Sequence, residues 1–284
     1  MMDKLPVELV NKIMDELSTC DLCQLVRTNS QWYRPCISRI YESPILDDVK
    51  RHDLFFKTTK PHTQRYIRHL ELTPSLITNE QLNQLTDCTG LITLHLSYCS
   101  HIVPNVLNKV LKVCLYMIQA VYLRDGQLST ETLQLLRQAC HLRILDLSNT
   151  MIRPCDRIDT PHHLDTMITS TNNNNNNQMD INTLHELDLS FCNWVDDTTL
   201  MNIVHGLPHL RYIKLRWCQE ISDKAIMKMI QGLKQISSID VCHIPCMNDP
   251  ARVHQLLKLN PFLETVCFTH HHYRKPTFLI RSSL

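Results

Sequence analysis

This chain has few glycines, few aromatic residues and almost no net charge. Its 284 residues include four glycines, 6% are aromatic, and the formal charge is +1. So few glycines argue against a glycine-rich phosphate-binding loop, and the near-neutral balance provides no basic field for nucleic acid or an anionic membrane. No apolar run approaches the roughly 18 residues that a membrane-spanning helix needs, and we find neither a secretory signal nor an N-glycosylation motif. These absences favour a protein as the partner.

Cysteine, by contrast, is abundant. The chain has 13 cysteines, an odd number, and most of them recur at fixed places in a repeating apolar pattern. Because a small buried thiol behaves as an apolar side chain, this recurrence favours free, buried cysteines over a disulfide framework. We therefore expect a reducing compartment, which means the cytoplasm, the nucleus or both.

The repeating pattern is an apolar triplet, Leu-x-x-Leu-x-Leu, that runs through the last three-quarters of the chain. Its members are Ile67/Leu70/Leu72, Leu91/Leu94/Leu96, Ile118/Val121/Leu123, Leu142/Leu145/Leu147, Leu184/Leu187/Leu189, Leu210/Ile213/Leu215, Ile236/Ile239/Val241 and Leu263/Val266/Phe268. Successive triplets begin about 24 to 27 residues apart, which is the spacing of a leucine-rich repeat. One interval, of about 42 residues, is longer. The last two members of each triplet lie two residues apart, as in a short strand that faces a core. Helical patterns follow the strands, for example behind capping residues Thr78 and Ser129.

The triplet pattern therefore predicts about eight repeats in residues 66–269, each of one strand and one helix. The segment from Leu184 to Cys192 and its successor from Leu210 to Cys218 place a cysteine three residues after the last strand leucine. In this they resemble the cysteine-containing leucine-rich repeats, which form the substrate-binding half of many F-box proteins. The resemblance implies an α/β fold, a right-handed horseshoe solenoid with parallel strands on its concave face and helices on its convex face.

The long interval holds an insertion that includes six consecutive asparagines, Asn172 to Asn177. Such a run has no apolar side chains to bury and so cannot offset its ordering entropy. We interpret residues 153–182 as a mobile loop that leaves the solenoid, and we favour neutral expansion over a regulatory role. Residues 270–284 are interpreted as a C-terminal tail.

The first 45 residues break the triplet pattern and show a helical period instead, with Val10, Ile13, Met14 and Leu17 on one face. Three short helices fill this segment, and residues 46–65 connect it to the repeats. A unit this small cannot cover its own apolar face. One interpretation is a helical cap over the first repeat, and the other is a docking domain.

The order of residues favours the docking domain. Leu5-Pro6-x-Glu8-Leu9 is followed by Ile13, Leu17, Asp21-Leu22, Val26 and Trp32. This order resembles the F-box, a motif that docks on the Skp-family adaptor of cullin–RING ubiquitin ligases and often precedes leucine-rich repeats. Carried over by motif position, the adaptor contacts implied by the resemblance are Leu5, Pro6, Leu9, Ile13, Leu17, Leu22 and Trp32.

The concave face is the expected site for a protein substrate. Strand alternation places the residues between the triplet leucines on that face. From it and the loops beside it we select aromatic and charged residues as candidates, because such side chains are enriched at interface hot spots. They are Tyr122, Arg124, Asp146, Glu186, Asp188, Tyr212, Lys214, Arg216 and Trp217. The alternative for Phe191 and Trp217 is that they only pad the loops between strand and helix.

The sequence indicates no catalytic residue, no metal site and no cofactor. Cys20-x-x-Cys23 lacks a second ligand pair at zinc spacing and is interpreted as packing, and the tract His270-His271-His272 lacks a supporting partner. We expect a non-catalytic substrate receptor of an SCF-type ubiquitin ligase, which binds the Skp-family adaptor, through it the cullin and RING subunits, and a protein substrate. The alternative is a repeat protein that sequesters a regulatory protein without any ligase, and an enzyme such as a metal-dependent hydrolase is a distant third.

Overall fold

The structure, a computed structural model, describes residues 6–152, 183–247, 249–269 and 271–274. Leu5, the predicted loop of residues 153–182 and most of the predicted tail lie outside the described residues. The helices are α1 (Val7–Asp15), α2 (Thr19–Thr28), α3 (Tyr33–Glu42), α4 (Val49–Thr58), α5 (Pro61–Gln64), α6 (Asn79–Leu82), α7 (Pro104–Cys114), α8 (Thr130–Gln138), α9 (Asp197–Gly206), α10 (Asp223–Gly232) and α11 (Pro250–Leu259). Short 3-10 turns cover Ser30–Trp32 and Pro245–Met247.

The strands form one long sheet and one small one. They are β1 (His69–Glu71), β2 (Thr93–His95), β3 (Ala120–Tyr122), β4 (Gln127–Leu128), β5 (Ile144–Asp146), β6 (Met151–Ile152), β7 (Glu186–Asp188), β8 (Tyr212–Lys214), β9 (Ser238–Asp240), β10 (Thr265–Phe268) and β11 (His271–Arg274). The long sheet has the order β1-β2-β3-β5-β7-β8-β9-β10-β11, and β4 pairs with β6. All neighbours from β1 to β10 are parallel, so this is the predicted leucine-rich-repeat sheet.

The aliphatic triplets form the core of this sheet, as predicted. Every triplet side chain is buried, with at most 7% of its surface exposed, and all of them belong to one continuous cluster. Leucines aligned in register stack across the strands, for example Leu145 on Leu187. Because each repeat buries its apolar side only against its neighbours, the repeats stabilise one another in sequence.

Capping residues determine where the helices that follow the strands begin. The predicted cap at Thr78 is a capping box in which the Thr78 hydroxyl accepts from the Gln81 backbone N–H, and Ser129 caps α8 in the same way through Thr132. These caps satisfy N–H groups that the first turn of a helix leaves unpaired. Both helix starts are confirmed at the predicted residues, although α6 is only one turn long.

The N-terminal helices have a core of their own. Met14, Leu22, Trp32 and Cys36 are buried together in a cluster separate from that of the repeats. The first repeat is instead covered by the connector, because Phe55 of α4 belongs to the repeat core. The connector therefore covers the first repeat together with Tyr41 of α3, which packs near Phe55, while α1 to α3 keep a separate core.

Backbone and side-chain hydrogen bonds join this domain and the connector to the repeats. The Arg68 N–H donates to the Glu42 carbonyl at 2.9 Å, and the Thr73 hydroxyl donates to the Leu46 carbonyl at 2.7 Å. The sequence did not reveal α4, α5 or the antiparallel strand β11, which pairs with β10 at the edge of the sheet.

Most of the cysteines on the repeat grid are buried and protonated. Burial raises the pKa of Cys88, Cys114 and Cys218 to about 12. The Cys192 and Cys218 thiols each donate to a carbonyl of the preceding repeat, Leu147 and Leu189, at 3.1 Å. These cysteines thus fill the core and also link neighbouring repeats.

The interpretation of Cys20 and Cys23 as packing residues is wrong. Both thiols are exposed on α2, because the helix directs Leu22 into the domain core and these two residues outward. Apolar periodicity identifies the buried face of a helix, but it gave no reason to place these cysteines on it.

We expect Leu189→Ala to lower the free energy of unfolding by about 2 to 5 kcal/mol, because it opens a cavity in the core between repeats. Urea denaturation followed by circular dichroism measures the change. Leu54→Ala is a matched control, since Leu54 is 61% exposed and Leu189 is 0% exposed. A loss below about 1 kcal/mol for Leu189→Ala would contradict the inward orientation of the triplets.

Thiol reactivity provides a second test. In the folded protein, iodoacetamide should label Cys20 and Cys23 rapidly and Cys88, Cys114 and Cys218 hardly at all, since alkylation needs an accessible thiolate. Peptide mass spectrometry after short exposures measures each site, and labelling in denaturant shows that all five thiols can react. Equal rates for Cys20 and Cys114 in the native state would refute the burial described here.

Candidate functional site

The first candidate surface is the outer face of α1. Residues Met14 and Val10 point into the domain core, whereas Leu9 and Ile13, four residues apart, share another face and are 46% and 40% exposed. A helix that carries apolar side chains on two faces can bury only one of them within so small a domain. The outer face of α1 is therefore an uncovered apolar surface.

Of the seven predicted adaptor contacts, Leu5 lies outside the described residues, and the other six divide by burial. Pro6, Leu9 and Ile13 are exposed, and Leu17 is half-buried. Leu22 and Trp32 lie inside the domain core, with 4% and 8% of their surface exposed. The exposed members are free to contact a partner directly, and the buried members hold α1 in place beneath them.

The second candidate surface is the open face of the long sheet. The side chains of the first and last residues of each three-residue strand lie on it, whereas the central residue points into the core. Three carboxylates occupy the last position of β5, β7 and β9. In each case one carboxylate oxygen accepts the backbone N–H two residues later, as Asp188 accepts from Ser190 at 3.0 Å and Asp240 from Cys242 at 3.0 Å. These local bonds fix the orientation of the carboxylates.

Basic side chains from neighbouring strands meet these carboxylates. Lys214 Nζ lies 3.1 Å from Asp188 Oδ2, and Arg216 Nε lies 3.6 Å from Asp240 Oδ2. Arg124 Nε is 4.0 Å from Asp146 Oδ2. The strand register thus brings acidic and basic side chains together in pairs.

Six of the nine predicted substrate residues line one cleft. It has a volume of about 100 Å³ and is bounded by Tyr122, Asp146, Glu186, Asp188, Tyr212 and Lys214, with Ile144 also in its lining. Burial, followed by the negative charges of Glu186 and Asp146, raises the pKa of the Tyr122 phenol. Arg124, Arg216 and Trp217 lie outside the lining of this cleft.

Just past the strands, one residue of each of six repeats has a left-handed backbone. Their φ angles are 65° at Tyr98, 58° at Asp125, 54° at Asn149, 64° at Phe191, 59° at Trp217 and 60° at His243. The backbone N–H at this place donates to the next repeat, as Phe191 does to the Arg216 carbonyl at 2.7 Å. The repeat geometry therefore requires this conformation.

The side chains at these positions form a row in which Tyr98, Asn149, Phe191 and Trp217 are exposed and Asp125 and His243 are half-buried. The Trp217 ring lies 6.2 Å from that of Phe191 and 4.5 Å from that of His243, and both pairs are stacked. Farther along the row, the Arg124 guanidinium lies over the Tyr98 ring at 5.9 Å. We call the three rings of Phe191, Trp217 and His243 the ring stack.

Sequence reasoning missed Asp240 and His243. Both could have been found, because Asp240 occupies the place of Asp188 in its repeat and His243 occupies the place of Trp217. Among the described residues, no group of three or more His, Cys, Asp or Glu side chains is arranged to hold a metal ion. Nor does any helix in the described ranges combine the length and apolarity needed to cross a bilayer.

Trp217→Asn distinguishes padding from a surface role. Asparagine adopts the left-handed backbone more readily than tryptophan, and the ring is 43% exposed, so we expect the free energy of unfolding to change by less than about 1 kcal/mol. Chemical denaturation measures this change. A loss above about 2 kcal/mol would identify the ring as a packing element instead.

Comparisons with known proteins support the division into two parts. The F-box-like family matches residues 2–46, and a leucine-rich-repeat family matches residues 181–204 and 206–229. No curated protein gives a significant match to the chain.

Several solved structures are similar to it. The TLR13–ssRNA13 complex has 15% sequence identity and a TM-score of 0.46, and the match covers 76% of this chain and 31% of that one. A leucine-rich-repeat protein of Leptospira interrogans has 17% identity and a TM-score of 0.44, covering 74% of this chain and 52% of that one. The present chain thus spans from about a third to half of the length of these two. The Rad7 and Elc1 complex of yeast has 12% identity and a TM-score of 0.31, covering 92% and 96%.

A separate three-helix domain at the residues that match the F-box-like family is followed by parallel strands at the leucine triplets. The chain is therefore an F-box/LRR protein, with an F-box-like domain followed by leucine-rich repeats.

Proposed function

We propose that this F-box/LRR protein is the substrate-recognition adaptor of an SCF-type ubiquitin ligase. Its F-box docks on a Skp-family adaptor, and through it on the cullin and RING subunits, while the repeats bind a protein destined for ubiquitination. The observation that carries the proposal is the uncovered apolar face of α1, formed by Leu9 and Ile13 within the F-box-like domain.

The burial pattern supports this use of α1. Fully desolvated apolar anchors supply most of the energy of a protein interface. Leu9 and Ile13 are available as such anchors, together with Pro6 and the sequence-assigned Leu5. Leu17 would lie at the margin of the interface, and the buried Leu22 and Trp32 would support α1 from behind rather than touch the adaptor.

The repeats supply the second surface. The open sheet face has eight parallel strands, which at about 4.8 Å spacing extend over roughly 34 Å, long enough for an extended peptide or a folded domain. We propose that the nine aromatic and charged residues assigned from the sequence, six of them around the cleft, contribute to substrate binding there.

The contribution to ubiquitin transfer is proximity. A receptor that binds the ligase core at one end and a substrate at the other raises the effective concentration of substrate lysines near the activated ubiquitin. F-box/LRR architecture is typical of non-catalytic adaptors, and we assign no catalytic group to this chain. The free thiols of the described cysteines suit the cytoplasm or nucleus as the place of action.

Co-expression with a Skp-family adaptor tests the proposal. The wild-type chain should form a stable one-to-one complex, measured by size-exclusion chromatography with light scattering. The double variant Leu9→Ala/Ile13→Ala should weaken the complex by about 2 kcal/mol or more, roughly 30-fold in Kd, because it truncates both exposed anchors.

A matched control is Val103→Ala/Met117→Ala, which removes side chains of similar exposure, 41% and 43%, from the repeats. It should leave adaptor binding unchanged. A wild-type chain that stays monomeric and ignores the adaptor would contradict the proposal and favour the sequestering alternative. Equal losses in both double variants would refute the assignment of the docking face to α1.

A further inference from the structure

The Phe191 and Trp217 rings of the ring stack are required neither by the backbone conformation nor by the core. Asp125 and Asn149 fill the same left-handed position in other repeats, and these residue types adopt that conformation more readily than aromatic ones. Phe191 and Trp217 are also 49% and 43% exposed, so they do little to fill the interior. Exposed apolar rings at strained backbone positions are a feature of contact surfaces.

The cleft and the ring stack lie side by side on the same repeats. Tyr122, Glu186 and Tyr212 belong to the cleft, while Phe191 and Trp217 follow strands β7 and β8, which supply part of its lining. From β3 to β9 there are four strand spacings, about 19 Å in total, which an extended segment of about six residues would span. The two features therefore suit one extended ligand that crosses the strands.

The cleft lining carries more carboxylates than cations. It has three carboxylates, those of Asp146, Glu186 and Asp188, against the ammonium group of Lys214. Lys214 pairs with Asp188 at 3.1 Å, and Arg124, just outside the lining, lies 4.0 Å from Asp146, so Glu186 is the carboxylate most available to a ligand. Glu186 is exposed, and the negative charges of Glu186 and Asp146 contribute to raising the pKa of Tyr122. A cationic side chain would complement this charge, and the tyrosine rings on either side of the carboxylates favour a planar cation.

An unpartnered hydroxyl lies in the chain between a residue of the cleft, Asp188, and a residue of the ring stack, Phe191. Ser190 follows Asp188 on the same sheet face and directly precedes Phe191, its residue is only 3% exposed, and its Oγ has no hydrogen-bond partner among the described residues. The equivalent Ser148 hydroxyl donates to Asp146 Oδ1 at 2.6 Å. Buried hydroxyls normally have a partner, so Ser190 retains unused hydrogen-bonding capacity two residues after Asp188, although Ser190 is not itself part of the cleft lining.

We propose that this face binds an extended segment of a protein substrate in which an arginine side chain enters the cleft between Tyr122 and Tyr212 and a neighbouring flat side chain lies on the ring stack. This inference rests on the proposed function, since it names the chemistry of the segment that the receptor recognises. Arginine supplies both the positive charge and the planar surface that the cleft requires, and the adjoining aromatic or proline side chain covers Phe191 and Trp217.

Peptide selection tests the proposal directly. A display library of random 12-residue peptides is selected against the full chain in complex with its Skp-family adaptor, or against the chain alone if no complex forms. The enriched sequences should share an arginine beside an aromatic or proline residue. A fluorescein-labelled selected peptide then gives Kd by anisotropy, and arginine replaced by glutamine should weaken it by about tenfold, with lysine weakening it less.

Variants of the chain locate the site. Glu186→Gln and Trp217→Asn should each weaken the selected peptide by about fivefold or more, and Ser190→Ala should weaken it by a smaller factor. Glu80→Gln and Tyr116→Asn are matched controls at exposed positions away from the cleft and should leave Kd unchanged. Circular dichroism on each variant confirms that it is folded.

The outcomes are distinct. Enrichment of acidic peptides, absence of any enriched sequence, or selected peptides that are indifferent to Glu186→Gln and Trp217→Asn would each overturn the inference. A second copy of the chain as the occupant would appear as a concentration-dependent dimer lost in Trp217→Asn, and would also overturn it. Adaptor binding is scored separately on the same samples, so a chain that binds the adaptor but no arginine peptide refutes only this inference. A chain that binds such peptides but no adaptor refutes the proposed function and leaves the peptide site standing.

Discussion

Burial of aliphatic triplets between neighbouring repeats is the interaction on which every surface of this protein depends. Each strand of three residues is too short to persist alone, and its leucines are sheltered only when the next repeat is in register. That register places the carboxylate of one strand beside a basic side chain of the next strand, as for Asp188 and Lys214. The ion pairs, the cleft and the ring stack are therefore consequences of the apolar stacking.

The same constraint explains why the two binding surfaces are separate. The repeat core is closed at its first strand by Leu46 and Phe55, which lie in the connector. These residues cover the first repeat together with Tyr41 of α3, so α1 is not needed for that role and can direct its outer face away from the repeats. A domain with its own small core can then present Leu9 and Ile13 to another protein.

The sequence predicted the parts of this structure that repeat. The Leu-x-x-Leu-x-Leu spacing located the parallel strands, and the residues at Thr78 and Ser129 located two helix starts, because periodicity and caps are local signals. Six of the candidate substrate residues meet in one cleft, since alternation along a strand determines which side chains share a face.

What the sequence did not predict arises from contacts between distant residues or from unusual backbone geometry. The pairing of Arg216 with Asp240 depends on strand register, and β11 forms only because β10 offers it an edge. The left-handed backbone at Trp217 could not be predicted from the sequence, because a left-handed residue is usually glycine and this one is tryptophan. The exposure of Cys20 and Cys23 followed from the direction in which α2 lies on its neighbours, which apolar periodicity did not reveal for those two residues.

If the outer face of α1 and the open sheet face are separate surfaces with separate partners, an adaptor should affect only the first. Hydrogen–deuterium exchange on the full chain, with and without a Skp-family adaptor, measures this. We expect the adaptor to protect amides in the N-terminal helices, α1 above all, and to leave exchange in strands β3 to β9 unchanged. Protection centred on the strands, or none in α1, would contradict this separation.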